Sequence, residues 1–263
     1  MTGFVELRDV RLTYGGKADG TLALDGLDMS VKKGEFAAVV GPSGCGKSTL
    51  MKLATGLINP QAGTVEVAGK EVSGPVSIAG MAFQNPSMLP WRTTLENVML
   101  PLEIVQPHRS KLKAEKAAYI DKAEALLELV GLKGFGDKFP WQLSGGMQQR
   151  ANLCRALVHD PALLMLDEPF GALDAFTREE LWQVMRDLHG EKGFTVILVT
   201  HDLREAVYLA DRVFVMSARP GKIISERHIE FARPRPIDLT YEAEFNDIVH
   251  DLRGQIADAR AVA

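Results

Sequence analysis

A glycine-rich stretch near residue 45 carries the clearest chemical signal in the chain. Residues 41–49 read GPSGCGKST and match the pattern G-x-x-x-x-G-K-[ST] in full. We expect the amides of residues 44–47 to point inward as a nest for phosphate oxygens. Lys47 would place its ammonium on the β- and γ-phosphates, and Ser48 would offer its hydroxyl to Mg²⁺. The predicted nucleotide-binding residues of this loop are Gly41, Ser43, Gly44, Cys45, Gly46, Lys47, Ser48 and Thr49.

Two adjacent carboxylates supply the second half of such a site. The apolar run 163–166 predicts a buried strand that delivers Asp167 at its C-terminal end, where ligands bind in open α/β sheets. We predict that Asp167 faces Mg²⁺. Glu168, which would point to the other side of the strand, can face the γ-phosphate and polarise a water. Without the lysine loop, the pair could equally be two solvated charges at a strand end.

A second anion-binding pattern lies about a hundred residues after the first. Residues 142–150 read QLSGGMQQR, so Ser144, Gly145 and Gly146 stand directly before a predicted helix. The first backbone N–H groups of a helix have no partner within it, and the helix dipole favours negative charge there. One bound nucleotide does not explain two phosphate sites.

The elements that position these residues are predicted from hydrophobic periodicity. Residues 36–40 are all apolar, which is typical of a strand buried on both faces of a parallel sheet, and they lead directly into the glycine loop. Residues 5–14 and 27–31 alternate and predict antiparallel strands, the first with an irregularity near Asp9. The other predicted strands are 64–67, 163–166, 196–199 and 213–216.

A helical pattern interrupts the strands between residues 95 and 134. Apolar residues between 120 and 130 recur three or four apart and share one helix face, so we interpret this block as an inserted helical subdomain. A further amphipathic helix is predicted after the stretch RPRP at 233–236, whose prolines interrupt regular structure. Its apolar face would comprise Tyr241, Phe245, Ile248, Leu252 and Ile256.

Composition limits the classes of function. The chain has 263 residues, of which 46% are apolar, enough for one or two globular domains. A net charge of −4 argues against a nucleic-acid partner. Cys45 and Cys154 lack the spacing of zinc ligands. No window of eighteen continuous apolar residues occurs, so a role at a membrane would need a partner.

The order of these motifs over residues 4–225 resembles that of the ATP-binding-cassette (ABC) ATPases. The sequence LSGGM at 143–147 is similar to the family signature, usually written L-S-G-G-Q. By this resemblance Tyr14 stacks on adenine, Gln84 lies between the core and the helical subdomain, and His201 reaches the γ-phosphate. A P-loop small-molecule kinase would lack the LSGGM pattern.

The resemblance implies a fold and its boundaries. The implied class is α/β, a P-loop NTPase (RecA-like) core with an N-terminal antiparallel β-subdomain and an inserted helical subdomain. A cassette at 4–236 would comprise core segments at about 4–86 and 151–225 and a helical subdomain at about 87–150. A C-terminal helical tail would occupy 237–263.

The resemblance also implies roles and ligands. Glu168 would be the general base, and His201 and Gln84 would be the other catalytic residues. The ligands would be ATP and Mg²⁺, with Ser48, Gln84 and Asp167 on the metal.

A head-to-tail pair of cassettes, as in this family, would explain the second anion site. Ser144, Gly145 and Gly146 of one copy would contact the γ-phosphate of the ATP held by the other. Asp174, in the loop GALD at 171–174, would lie between the two subunits. The homodimer would close around two ATP, and the monomer alone would hydrolyse ATP poorly.

The remaining partners implied by the resemblance are integral membrane permease subunits and, indirectly, a solute-binding protein. The chain would lie at the cytoplasmic face of the inner membrane as a peripheral subunit. We predict that the stretch 85–97, NPSMLPWRTTLEN, contacts the permease through side chains such as Trp91. The alternative is that Leu89 and Trp91 pack inside the helical subdomain.

Three further stretches, LPWRTTLENV, FGALDAFTR and SARPGKI, resemble those of importers of nitrate, sulfonates such as taurine, or pyrimidine-type thiamine precursors. The expected function is therefore the ATPase subunit of a bacterial ABC importer. The alternatives are the ATPase of a separate-subunit exporter and a non-transport ABC ATPase. A chromosome-maintenance member would carry a long coiled coil between the two phosphate motifs, and a translation factor would carry two cassettes.

Overall fold

A computed structural model describes residues 3–15 and 20–261, which contain both strands and helices. The ten strands within them are β1 (Val5–Tyr14), β2 (Thr21–Val31), β3 (Phe36–Val40), β4 (Ala62–Val67), β5 (Lys70–Glu71), β6 (Ala79–Ala82), β7 (Leu163–Asp167), β8 (Thr195–Val199), β9 (Arg212–Met216) and β10 (Ile223–His228). The eight α-helices are α1 (Lys47–Ala54), α2 (Thr94–Met99), α3 (His108–Lys111), α4 (Lys116–Leu129), α5 (Gly145–Leu157), α6 (Ala175–Lys192), α7 (Leu203–Leu209) and α8 (Ala243–Ala261). The chain divides into a first unit, Met1–Val76 with Arg186–Ala263, and a second unit, Ser77–Met185.

An antiparallel sheet in the first unit has the strand order β2-β1-β4-β5. The register between β1 and β2 shifts between Leu7 and Val10, and Asp9 has a φ of +46°. This bulge confirms the predicted irregularity near Asp9. It lets one strand bend while its apolar side chains stay on the buried face.

Parallel strands in the first unit form its core. All five residues of β3 are buried, as their uniform apolar character predicts, and β3 pairs in parallel with both β8 and β9. Strand β10, which periodicity did not predict, pairs antiparallel with β9. The carboxyl ends of β3 and β8 lead directly to the glycine loop and to His201.

In the second unit, β6 and β7 pair in parallel, and α2, α4 and α5 pack together beside them. The predicted apolar face of α4 is confirmed, since Ala123, Leu127 and the following Val130 are buried. The predicted fold class, an α/β protein with an antiparallel sheet and a parallel sheet, is also confirmed. The boundaries of the helical subdomain at 87–150 stay a prediction.

The C-terminal helix α8 packs on α7 and β9 through Phe245 and Leu252, which are buried as predicted. Tyr241 was wrongly placed on this helical face. The helix begins at Ala243, so Tyr241 lies in a preceding 3₁₀ turn with 69% of its surface exposed, and the Arg204 guanidinium lies over its ring. The last two residues of the predicted tail, 262–263, lie outside the described part. No helix in the described part has the length and apolar character needed to span a membrane.

Candidate nucleotide-binding site

The glycine loop begins where the buried strand β3 ends and runs into α1. Gly44 and Gly46 have φ values of +73° and +109°, which a residue with a Cβ rarely adopts. The Lys47 ammonium is buried and donates to the carbonyl oxygens of Gly41 at 2.9 Å and Pro42 at 2.8 Å. A charged phosphate oxygen is a stronger acceptor than these neutral carbonyls, so the ammonium is suited to exchange partners when phosphate binds.

One amide of the loop departs from the predicted nest. The Cys45 N–H donates to the Pro42 carbonyl at 3.4 Å and so closes a turn within the loop. The bond is long, and such bonds are weak, so this amide can exchange it for a phosphate oxygen at small cost. Ser43, Gly44 and Ser48 are exposed, which leaves their polar groups accessible to a ligand.

Tyr14 and His201 are the other predicted nucleotide contacts of the first unit. Tyr14 ends β1 with an exposed ring, and its hydroxyl lies 3.3 Å from the Thr49 hydroxyl on α1. His201 follows β8 and is exposed. The next residue, Asp202, caps α7 by accepting from the N–H groups of Arg204 and Glu205, which fixes the backbone that presents His201.

In the second unit, the acidic strand end meets the predicted glutamine. Asp167 is the buried last residue of β7, and the Gln84 amide donates to a Glu168 carboxylate oxygen at 2.7 Å. The strand ends at Asp167, so Glu168 lies outside it and does not follow the strand alternation on which its predicted direction rests. The backbone of Glu168 is instead left-handed, with a φ of +47°. Such a conformation in a residue with a side chain is strained, and strain of this kind clusters at functional sites.

The second anion-binding pattern forms a capped helix start. The Ser144 hydroxyl accepts from the Met147 N–H at 3.3 Å and caps α5, while Ser144 and Gly145 are exposed. Met147 thus uses its backbone, not its side chain, in the cap. The exposed start of this 13-residue helix retains the orientation that favours an anion.

Helix α5 also holds the segment that carries Gln84. Asn152 donates to the Phe83 carbonyl at 3.0 Å, and Arg155 donates to the Pro86 carbonyl at 2.5 Å. Carbonyls on both sides of Gln84 are therefore fixed by a single helix whose N-terminus is the second anion pattern. Sequence reasoning missed these two residues, although their spacing of three places them on one helix face.

Asp174 is placed at the start of α6. Its carboxylate accepts from the Thr177 N–H at 3.1 Å, and its carbonyl accepts from the Arg178 N–H at 3.0 Å. The bonds from Thr177 lower the pKa of the Asp174 carboxyl, because they stabilise its charged form. Phe176, two residues on, has 83% of its surface exposed.

Residues 24–171 match the sequence profile of the family described as "ABC transporter", which covers more than half of the chain. The chain belongs to the ABC transporter family. The glycine loop, the signature LSGGM and the acidic strand end of this ABC cassette all lie within the matched residues. As a member of the family it is an ATP-binding subunit with ATPase activity.

Curated relatives of this cassette include two import subunits. The taurine import ATP-binding protein TauB of Escherichia coli strain K12 is 41% identical over 220 residues, 84% of this chain and 82% of that protein. The aliphatic sulfonates import ATP-binding protein SsuB of Bacillus licheniformis is 42% identical over 222 residues, 84% of this chain and 83% of that protein. Among solved structures, a dimeric post-hydrolysis state of the cassette MJ0796 bound to ADP and Pi is 30% identical. It has a TM-score of 0.75 and covers 87% of this chain and all of that one.

Sequence reasoning also missed Asn97, which organises the loop of the cassette before α2. The side chain is fully buried, accepts from the Leu89 N–H at 2.7 Å and lies within 3.1 Å of the carbonyls of Leu89, Arg92 and Thr93. Trp91 stands on this loop with 71% of its surface exposed. The Thr93–Glu96 capping box that starts α2 was readable in the sequence as T-x-x-E.

Proposed function

We propose that the chain is the ATPase subunit of a bacterial importer for an organosulfonate such as taurine, acting as a homodimer with a separate permease. The main support for ATP hydrolysis is the hydrogen bond between Gln84 and Glu168, the residue that directly follows the buried Asp167. The import subunits similar over 84% of the chain support the physiological role. The solute could also be nitrate or a pyrimidine precursor, which the sequence resemblance includes.

In the proposed reaction, Glu168 accepts a proton from the water that attacks the γ-phosphorus. Gln84 holds the carboxylate at 2.7 Å and so limits its orientations. The phosphate loop and Lys47 bind the phosphates, Tyr14 stacks on the adenine, and His201 contacts the γ-phosphate. The bond to the leaving ADP breaks as the bond to water forms, which yields ADP and inorganic phosphate.

The residues proposed for Mg²⁺ fit that ion. No cluster of three or more His, Cys, Asp or Glu side chains suited to a metal occurs in the described residues. Mg²⁺ bound with a nucleotide needs only one or two protein oxygens, because phosphates and waters supply the rest. Ser48, Gln84 and Asp167 offer hydroxyl, amide and carboxylate oxygens. When bound, the ion would neutralise charge on the phosphates.

The signature would act on the nucleotide of a second copy. The exposed Ser144 and Gly145 offer a hydroxyl and a helix start to the partner's γ-phosphate, and Asp174 would lie at the subunit boundary. Two solved structures of the MJ0796 cassette are dimeric, one of them bound to ADP and Pi, which supports the pairing of two copies. ATP would then stabilise the dimer, and hydrolysis would weaken it.

The permease would bind to an apolar groove of about 530 Å³ in the second unit. Its lining includes Phe83, Ser87, Ile104, Arg155 and His159. The groove touches the segment that carries Gln84, so an occupant can act on that residue through Phe83 and Ser87. A short helix of the permease with an acidic residue suits the lining, since Arg155 is its charged group. The predicted stretch 85–97 contributes only Ser87, while its exposed Trp91 would extend the contact.

The proposal places the chain as a peripheral subunit at the cytoplasmic face of the inner membrane. It is tested by reconstituting the chain in proteoliposomes with a candidate permease from a neighbouring reading frame, with the candidate solute-binding protein and taurine outside. We expect ATP-dependent taurine uptake and ATPase stimulation by the loaded binding protein. Uptake of nitrate but not taurine would mean that nitrate, not a sulfonate, is the transported solute. ATP-driven efflux would identify an exporter instead of an importer. Hydrolysis that the permease does not affect would favour a non-transport ATPase.

A further inference from the structure

A turn that follows β9 lies directly on the phosphate loop. The turn, Ser217–Lys222, closes on itself through the Ser217 N–H bond to the Lys222 carbonyl at 2.9 Å. The Lys222 N–H donates back to the Ser217 hydroxyl at 2.9 Å. The Gly221 N–H donates to the Ala23 carbonyl on β2 at 2.9 Å, so the turn is also fixed to the antiparallel sheet. It is therefore a rigid platform.

Arg219 connects this platform to the phosphate loop. Its Nε and Nη2 atoms donate to the Gly44 carbonyl at 3.1 and 2.9 Å, across 175 residues of sequence. Two residues on, the backbone of Gly221 approaches so closely that a Cβ there would lie 2.1 Å from the Cys45 carbonyl oxygen. Two consecutive carbonyls of the phosphate loop thus face the turn.

The direction of these carbonyls bears on phosphate binding. A nest binds an anion only when its N–H groups point inward and its carbonyls point away, because an inward carbonyl repels the phosphate. The Lys47 ammonium orients the carbonyls of Gly41 and Pro42, but it does not contact that of Gly44. Gly44, with φ +73°, has wide backbone freedom, so its peptide needs a partner from elsewhere.

We propose that Arg219 is a positioning residue for the phosphate loop. It holds the Gly44 carbonyl outward. The amide of the same peptide, the Cys45 N–H that donates weakly to Pro42 at 3.4 Å, therefore stays on the inner side of the loop, where it can exchange that bond for an oxygen of the α- or β-phosphate. The inference rests on the proposed binding of ATP by this loop. Two other roles of Arg219 make different predictions. Long-range attraction of ATP would be provided by any positive charge at residue 219. A purely structural role would lower the stability of the fold when Arg219 is removed.

The test compares Arg219→Ala, Arg219→Lys and Arg253→Ala in the full-length chain. Arg253 is an exposed arginine of α8 and is the matched control for the loss of one charge. Calorimetry measures the dissociation constants of MgATP and MgADP. Mass spectrometry measures hydrogen exchange at the backbone amides of residues 43–47, and urea unfolding without nucleotide measures the stability of each variant.

For Arg219→Ala we expect both dissociation constants to rise about tenfold, since both nucleotides carry the α- and β-phosphates that such loops cradle. Amide exchange in residues 43–47 becomes faster, while the urea midpoint matches that of Arg253→Ala. Arg219→Lys, which can donate only one of the two bonds, falls between. In the reconstituted complex, KM for ATP rises and kcat stays within about twofold.

Three results would overturn the assignment: unchanged nucleotide affinity in Arg219→Ala, a loss confined to ATP, or full wild-type affinity in Arg219→Lys. A fall in the urea midpoint that accounts for the whole loss of binding would also replace positioning with a structural role. A wild-type chain that binds neither nucleotide would instead overturn the proposed function itself.

Discussion

The Gln84 amide donates to the Glu168 carboxylate at 2.7 Å, and the carbonyls that flank Gln84 at Phe83 and Pro86 are held by α5. The residue proposed as the base is thus joined through one glutamine to the helix that begins at Ser144. A shift of α5 on binding a second nucleotide would move the segment that orients the base. In the proposed homodimer, this continuous set of contacts would link hydrolysis to the second subunit.

Replacing Glu168 with glutamine should separate ATP binding from hydrolysis. The amide keeps the size of the side chain but cannot take a proton from water, so we expect kcat to fall by at least about 100-fold. The dissociation constant for ATP should change by less than about twofold. Phosphate release by the reconstituted complex measures the first quantity and calorimetry the second. The control is Glu191→Gln, an exposed glutamate of α6. Wild-type turnover in Glu168→Gln would remove Glu168 from the role of base.

Replacing Ser144 with arginine should prevent dimerisation without loss of monomer binding. The new side chain occupies the exposed start of α5 and removes its cap. The substitution is placed in the Glu168→Gln background, in which ATP is not consumed. We expect the dissociation constant of the ATP-bound dimer, measured by light scattering, to rise at least about 100-fold. Ala117→Arg adds the same charge to an exposed site on α4 and should leave the dimer intact. If Ser144→Arg abolished ATP binding by the monomer, the signature would act within one chain.

Replacing Trp91 with alanine should weaken the permease contact. The ring is 71% exposed, so its removal costs the fold little, while exposed tryptophans are common anchors of interfaces. We expect about a 30-fold loss of affinity for the permease, with the ATPase rate of the isolated chain unchanged. Leu129→Ala removes another exposed apolar side chain of the same unit and serves as the control. Lower stability with intact coupling would instead mean that Trp91 packs within its own unit.

Replacing Asn97 with alanine should destabilise the second unit. The truncation leaves the partly buried N–H of Leu89 and the carbonyls around Asn97 without their amide partner, which costs about 2–4 kcal/mol in the free energy of unfolding. Urea unfolding measures the loss. Asn85→Ala, on an exposed residue of the same loop, should change the value by less than about 0.5 kcal/mol. Equal effects of the two substitutions would contradict the role of Asn97.

Acidification should destabilise the first unit through His189. Burial, and then the charge of Arg233, lower the pKa of this imidazole in the fold, so the unfolded chain binds its proton more readily. The neutral imidazole therefore contributes fully to the free energy of unfolding above its unfolded pKa of about 6.5. This contribution is lost as the pH falls from there through the lower pKa of the folded state. Urea midpoints between about pH 7 and 5.5 should fall in wild type and fall less in His189→Gln. The exposed His250→Gln is the control, and an unchanged slope in His189→Gln would refute the assignment.

Local patterns predicted the elements and motifs well, because each depends on neighbours in sequence. The run 36–40 became a strand buried at all five residues, and Ser144 became a helix cap. The pairing of Gln84 with Glu168 joins residues 84 apart, and only the family resemblance placed them in one site. The left-handed backbone of Glu168 has no local signal, since glutamate rarely adopts it.

Arg235 shows most clearly what periodicity misses. A charged residue between two prolines is expected at the surface, yet only 1% of Arg235 is exposed. Its guanidinium donates to the carbonyls of Val207, Tyr208 and Ala210 at the end of α7, which have no helical partner of their own. Burial lowers the pKa of Arg235 to about 10. The free carbonyls at the end of α7 find their donor 25 residues later in the sequence. Neither segment alone predicts this pairing.

The side chain of Asn97 has a consequence for association as well as for folding. Because it fixes the backbone of residues 89–93, the loop that presents Trp91 has few conformations left to lose when a partner arrives. The conformational entropy lost when a loop becomes ordered on binding lowers the affinity. In this loop that entropy is already lost when the chain folds. The subunit would therefore meet a permease with a preformed, rigid ledge rather than a segment that must be shaped at each encounter.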